Sequence, residues 1–158
     1  MRDFAPDQMM PRATSGLMSR NKTLQQEEPM SATDAAAAFP YAVHLDIKFD
    51  ALDLIDVPSL AAACTDQWYN QTLCKVNDSI VRLGVMQGEY HWHKHDNDDE
   101  FFFVLSGTFI IDLEGRSVAL SPQQGFVVPK GVIHRTRAPE KAVVLMVETA
   151  TIVPTGDA

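Results

Sequence analysis

The amino-acid sequence predicts an all-β fold, an antiparallel sandwich or barrel that follows an irregular N-terminal extension. Two observations carry this reading. From Trp68 onward, short runs of β-favouring residues recur at near-even spacing with turn residues between them, and no long helical period interrupts them. Within that region His91, His93 and His95 stand at every second position, the period of a strand, whose successive side chains point to opposite faces.

Residues 1–40 differ from the rest of the chain. They hold five of the seven methionines and four of the nine prolines, with an alanine run at 35–38, and show no apolar period. The segment is expected to be a poorly ordered leader to a barrel domain over 41–153. Met30 opens Met-Ser-Ala-Thr-Asp and is a plausible start for a shorter product. An intact mass containing residues 1–29 would sink that expectation. Val43, Leu45, Ile47 and Phe49 alternate as a strand would, and Asp53 to Ala63 suit a short helix begun or broken near Pro58. The β-like runs then fall near 71–76, 79–87, 89–95, 100–105, 108–113, 116–120, 125–128, 132–137 and 142–149. Asn77-Asp78, Glu114-Gly115 and Ser121-Pro122 punctuate them.

The chain has 158 residues, 46% of them hydrophobic and 22% charged, which suits one soluble globular domain with a real core. Its net charge of −8 argues against nucleic acid or an anionic membrane as partner, since both demand a basic face. No run of apolar residues is long enough to span a bilayer, and the N-terminus lacks a signal-peptide core. Cys64 and Cys74 form no disulfide framework and no Cys-x-x-Cys pair, so reduced thiols and a cytoplasmic location are expected. No nucleophile elbow, phosphate-binding glycine loop or Ser-His-Asp set is visible.

The chemistry concentrates in Gly88-Glu-Tyr-His-Trp-His-Lys-His-Asp-Asn-Asp-Asp-Glu100. As a strand it turns His91, His93 and His95 to one side, with Trp92 and Lys94 opposite. The acidic turn Asp96 to Asp99 reads as solvated, and it is long enough to bring Glu100 back beside the histidines. Continued alternation puts Phe102 and Val104 inside, with Phe101, Phe103 and Leu105 outside. Farther on, Gly125 and Gly131 flank Pro129, and the turn there leads into a strand carrying His134. His134 can join His93, His95 and Glu100 as a fourth metal ligand. Three imidazoles and one carboxylate suit Mn, Fe, Ni, Zn or Cu and leave coordination positions open, unlike a closed structural zinc site.

Both segments resemble cupin motifs. The first cupin motif has the form G-x5-H-x-H-x3–4-E-x6-G. His93-Lys-His95, four residues, Glu100, six residues and Gly107 match its core. The second, G-x5-P-x-G-x2-H-x3-N, is matched by Pro129-Lys-Gly131-Val-Ile-His134. Gly88 lies four rather than five residues before His93, Gly125 lies three before Pro129, and Ala138 replaces the final asparagine. The phrase from Trp92 to Gly107 is also similar to small single-domain cupins of the mannose-6-phosphate-isomerase-like kind. The resemblance covers roughly 70–150. It implies a double-stranded β-helix (jelly-roll barrel), a divalent metal on His93, His95, Glu100 and His134, and frequent homodimers.

A register that used His91 and His93 instead would leave six residues before Glu100 and abandon the motif spacing. His91, about 7 Å from His93 along a strand, is therefore expected in the pocket with Phe102 and Val104 rather than on the metal. Arg82 reads equally as a binder of an anionic substrate or as a surface residue. Arg135 and Arg137 have parity opposite to His134 and should face away from the metal. Glu148 could be a pocket acid, but Val143 to Val147 offers no alternation to fix its direction. Outward-facing Phe101 and Phe103 need cover, from residues 41–60 or from a second subunit, and a homodimer is expected. The function expected is binding or transformation of a small polar molecule at the metal, isomerase-like by resemblance. An iron-dependent dioxygenase and a non-catalytic ligand-sensing module are the alternatives, and no catalytic residue is assigned.

Overall fold

The computed structural model describes residues 41–157. The expected leader lies outside the described residues. Eight strands and one helix occur in this order: β1 (Ala42–His44), α1 (Val57–Ala63), β2 (Trp68–Val76), β3 (Ser79–Glu89), β4 (Glu100–Ser106), β5 (Phe109–Leu113), β6 (Arg116–Leu120), β7 (Gly125–Val128) and β8 (His134–Thr149). The strands run side by side as β1-β2-β3-β8-β4-β7, and β5 joins β8 to β6. All pairings are antiparallel except β1 on β2.

The strand expected over 43–49 is shorter than its alternation suggests. Only Ala42–His44 forms a ladder, yet the chain keeps company with β2 through Lys48 N to Thr72 O (3.1 Å) and Phe49 N to Leu73 O (2.9 Å). The helix starts at Val57 rather than Asp53, because Asp56 caps it: its carboxylate accepts from the Ser59 backbone N–H and hydroxyl. Pro58 sits in the first turn, where a missing N–H costs nothing. This arm lays Phe49, Ile55, Val57, Leu60 and Ala61 over Leu73, Leu83, Val85 and Val143 on the outside of the barrel. It reaches Leu145, the ladder neighbour of Phe103. Phe101 and Phe103 are half-buried, their rings 6.3 Å apart.

Inside, the even positions of β4 and β8 fill the core. Phe102 and Val104 are buried there with Phe109, Ile111, Val144 and Met146, as alternation requires. Gly107 makes the β4–β5 connection possible. Its φ is +78° and a Cβ would lie 2.6 Å from the Lys141 carbonyl oxygen, so no other residue fits without a shift.

Two expected elements need correction. The runs at 132–137 and 142–149 are one sixteen-residue strand, β8, which pairs first with β5 and then with β3 and β4. Pro139 does not break it, because β3 steps from Met86 to Gly88 while β8 steps from Ala142 to Ala138. The extra residues bulge where no ladder N–H is needed. Conversely, 89–95 is not a strand. β3 ends at Glu89, and the next residues are tied only at intervals, by Tyr90 N to Thr136 O (2.8 Å) and by an isolated bridge between His93 and His134.

Candidate metal centre

That isolated bridge builds the site. His93 and His134 exchange two backbone hydrogen bonds, each 2.9 Å, which sets their rings 4.3 Å apart. Two residues on, the Gly131 N–H donates to the His95 carbonyl (2.7 Å), and Lys130 N–H donates to the Asp99 carboxylate (2.9 Å). The His-rich segment and the segment before His134 are thus laced together, while β4 brings in Glu100 at its first residue. One ligand atom from each of His93, His95, Glu100 and His134 falls within 4.8 Å of the others. Ligands held about 2.0–2.2 Å from one ion are separated by roughly 3–4.4 Å, so the set needs little adjustment.

The tautomers are fixed from behind. His93 Nδ1 lies 3.0 Å from the His91 carbonyl oxygen, and His134 Nδ1 lies 3.0 Å from that of Val132. A carbonyl only accepts, so each Nδ1 carries the proton and each Nε2 presents a lone pair. His134 Nε2 then faces Glu100 Oε2 at 3.2 Å, and His95 Nε2 faces the same oxygen at 3.5 Å. A lone pair opposite a carboxylate oxygen repels unless a cation or proton lies between them. His95 sharpens the point: it is 3% exposed and neither ring nitrogen has a hydrogen-bond partner among the described residues. A buried imidazole without partners is costly, and ligation removes that cost.

Electrostatics agree. Burial, assisted by His134, holds the His93 imidazole down to about 3, so it is a neutral donor at physiological pH. Burial works to raise the Glu100 carboxyl, but the imidazoles of His134, His95 and His93 around it outweigh burial and hold the group low, at about 2. Three imidazoles beside a carboxylate form a set that could hold a divalent ion.

A cavity opens beside this set. His93 and Glu100 border this narrow space with Trp68, Asn70, Met86, Tyr90, Phe102, Thr136, Met146 and Pro154. Of the expected pocket residues, Phe102 is there. Val104 is sealed deeper in the core, and His91 is turned aside because its Nε2 donates to the Thr155 carbonyl (2.8 Å). The segment 152–157, which runs on past the expected domain edge at 153, straps across the mouth. Tyr90 OH donates to Pro154 O, Asp157 N–H donates to Lys94 O (2.9 Å), and Asp96 N–H donates to the Asp157 carboxylate (2.6 Å). Gly156, at φ +87°, touches His93 so closely that a Cβ would lie 2.6 Å from that of His93.

The remaining polar residues sort by face. Arg82 is neither a surface residue nor open to solvent: its Nε donates to Glu148 Oε2 (3.0 Å) inside the barrel, leaving Nη1 unpartnered. Arg135 and Arg137 point outward, as expected, and share Asp112. Asp98 is not simply solvated, since the Thr149 hydroxyl donates to it.

The family model described as Cupin domain matches residues 80–148, from β3 to the end of β8. Protein YdbB of Bacillus subtilis is 40% identical over 91 residues, covering 57% of this chain and 80% of that protein. The chain belongs to the cupin family. A cupin-2 domain protein from Shewanella frigidimarina superposes with a TM-score of 0.58 at 28% identity, over 61% of this chain and 94% of that one. A stretch of 73 residues, 46% of this chain, is 33% identical to part of a mannose-1-phosphate guanylyltransferase of Sinorhizobium fredii, of which it spans 14%. No helix of this cupin, among the described residues, is long and apolar enough to cross a membrane.

Sequence reasoning missed most of the cavity wall. Trp68 and Asn70 were readable as inward neighbours only once the start of β2 was known. Thr136 and Met146 share the parity of His134, a signal hidden by the division of β8 into two runs.

Proposed function

We propose that this cupin binds a divalent transition metal through His93, His95, Glu100 and His134 and uses it to bind or transform a small molecule in the adjoining cavity. The observation that carries this reading is the pair of His134 Nε2 and Glu100 Oε2, two acceptors 3.2 Å apart in a buried place. A bound ion supplies Lewis-acid polarisation of a coordinated oxygen. The chain itself holds the His93 imidazole neutral, fixes the rings of His93 and His134 by backbone carbonyls and screens the site with the 152–157 strap.

Elemental analysis of protein purified without a histidine tag tests this. About one divalent ion per chain is expected in the wild type, with loss in Glu100→Ala and His134→Ala. Full metal content in both variants would overturn the assignment. The identity of the ion then separates the chemistries: iron with oxygen uptake favours an oxygenase, while manganese or zinc favours an isomerase or a binding role. A cytoplasmic setting is supported by Cys64 and Cys74, both free. Exposed Leu105, Val127 and Val147 around Phe101 and Phe103 support a homodimer through the outer face of β4, β7 and β8. Light scattering of Val127→Glu against the wild type reads that directly, and an unchanged mass for the variant counts against this face.

A further inference from the structure

The space beside the four donors is small. Its free volume is about 20 Å³, room for one water molecule, so a ligand of several heavy atoms does not fit while the site is closed. A wall has to move before anything larger reaches the donors. The walls are not equally free to do so. Most of the lining side chains stand on β2, β3, β4 and β8, each of which has a strand on either side. Tyr90 and His93 lie outside the strands, but their backbones are bonded to Thr136 and His134 of β8. Pro154 is the exception: it belongs to the strap, which follows β8 and joins no ladder.

The strap is tied to the segment that carries His93 and His95. Tyr90 OH donates to Pro154 O (3.3 Å), the His91 ring to Thr155 O (2.8 Å), Asp157 N–H to Lys94 O (2.9 Å), and Asp96 N–H to the Asp157 carboxylate (2.6 Å). Gly156 N–H to Val153 O (2.8 Å) folds residues 153–156 into a turn of their own. Such polar ties near the surface are weak holds, because water replaces each of them when the segment lifts. Apolar anchoring is concentrated at Ile152, 6% exposed, whose N–H donates to Thr149 O at the end of β8 (3.3 Å), whereas Val153 is 48% exposed. Ile152 is thus an anchor, and the four hydrogen bonds beyond it are a latch.

We propose that residues 153–157 are a gate that lifts about Ile152 and sets the size of what reaches the four donors. Closed, it passes only water-sized species; open, it admits an organic ligand. Gly156 decides how tightly the gate closes, since a Cβ there would lie 2.6 Å from that of His93 and only glycine lets the turn seat at its φ of +87°. The movement itself is a property of the fold. What the gate guards rests on the metal-binding reading above.

The test uses the full chain, free of metal, with Trp92→Phe, which leaves Trp68 on the wall of the space as the sole tryptophan. The probe is acrylamide, an uncharged quencher too large for the closed space. A stop codon after Ile152 is expected to raise the quenching constant of Trp68 by about threefold or more, with the urea midpoint little changed. Gly156→Ala, which props the turn off His93, should give an intermediate rise, and it decides if the shortened chain does not fold. In the intact chain the Asp157 N–H, part of the latch, should exchange with solvent about a hundredfold or more faster than the Val144 N–H in the middle of β8, because the gate opens without unfolding. Unchanged quenching in the folded variants, a rise matched by a collapse of the urea midpoint, or equal exchange of the two amides would each overturn the gate. Cobalt uptake by the intact chain is read separately, and its absence refutes the metal-binding reading and not the gate.

Discussion

Two arginine–carboxylate sets flank β8, one inside the barrel and one outside. Inside, Arg82 Nε meets Glu148 Oε2 at 3.0 Å with both side chains almost fully sealed. Outside, Arg135 Nε and Arg137 Nε meet Asp112 Oδ2 at 3.0 and 2.8 Å, with the arginines about 30% exposed. The contacts are nearly identical in length, yet the carboxyls move in opposite directions. Burial, then the nearby charge of Glu100, pushes Glu148 up in spite of its arginine. Two arginines, Arg137 foremost, draw Asp112 down to about 2. Hydration and the count of cations, not contact distance, decide what an ion pair does to its members.

The largest effect is expected where a buried charge cannot be discharged. Glu148→Leu leaves Arg82, which cannot lose its proton, alone in the core, and urea unfolding should show a loss of about 3–5 kcal/mol. Arg82→Met should cost less, because Glu148 can neutralise itself by taking a proton. The double variant should recover most of the loss. If either single variant is no worse than Asp112→Asn, whose cost should be about 1 kcal/mol, the contrast between the two faces fails.

The pH dependence sharpens the same contrast. Asp112, lowered from 3.8, adds stability that is fully present above its unfolded value and is lost as pH falls from 3.8 through about 2. Glu148 has the opposite sign: its folded carboxyl lies above its unfolded value of 4.5, so stability falls as pH rises beyond that value in metal-free protein. Denaturant midpoints of Asp112→Asn and Glu148→Gln against pH should therefore flatten opposite ends of the wild-type curve. The smallest effect belongs to the outer rim. Arg135 lies 5.2 Å from the centre of the Trp92 ring, and Trp92→Ala should cost about 0.5–1 kcal/mol in the same unfolding assay.

The sequence made one face of this molecule legible and blurred the other. Alternation placed Phe102 and Val104 inward and Arg135 and Arg137 outward because a strand offers only two directions. The inward course of Glu148 was unreadable, since Val143 to Val147 is apolar on both faces: one side meets the core, and on the other Val143 and Leu145 lie under the 49–64 arm while Val147 is exposed. His91 misled for the opposite reason. Its spacing was right for a strand, but the backbone there leaves the ladder, and a carbonyl in the strap claims its ring. The meeting of His93 with His134 came from spacing plus family resemblance. The partnerless nitrogens of His95 and the cavity wall came only from tertiary packing.

The strap also sets an order of events. A chain made from its N-terminus presents His93, His95 and Glu100 well before His134, and Gly156 comes last to settle against His93. During synthesis the early three ligands lack both the fourth donor and the cover of the mouth. The donor set that could hold an ion is thus completed late in biogenesis, and a ribosome paused within β8 would hold it open and incomplete.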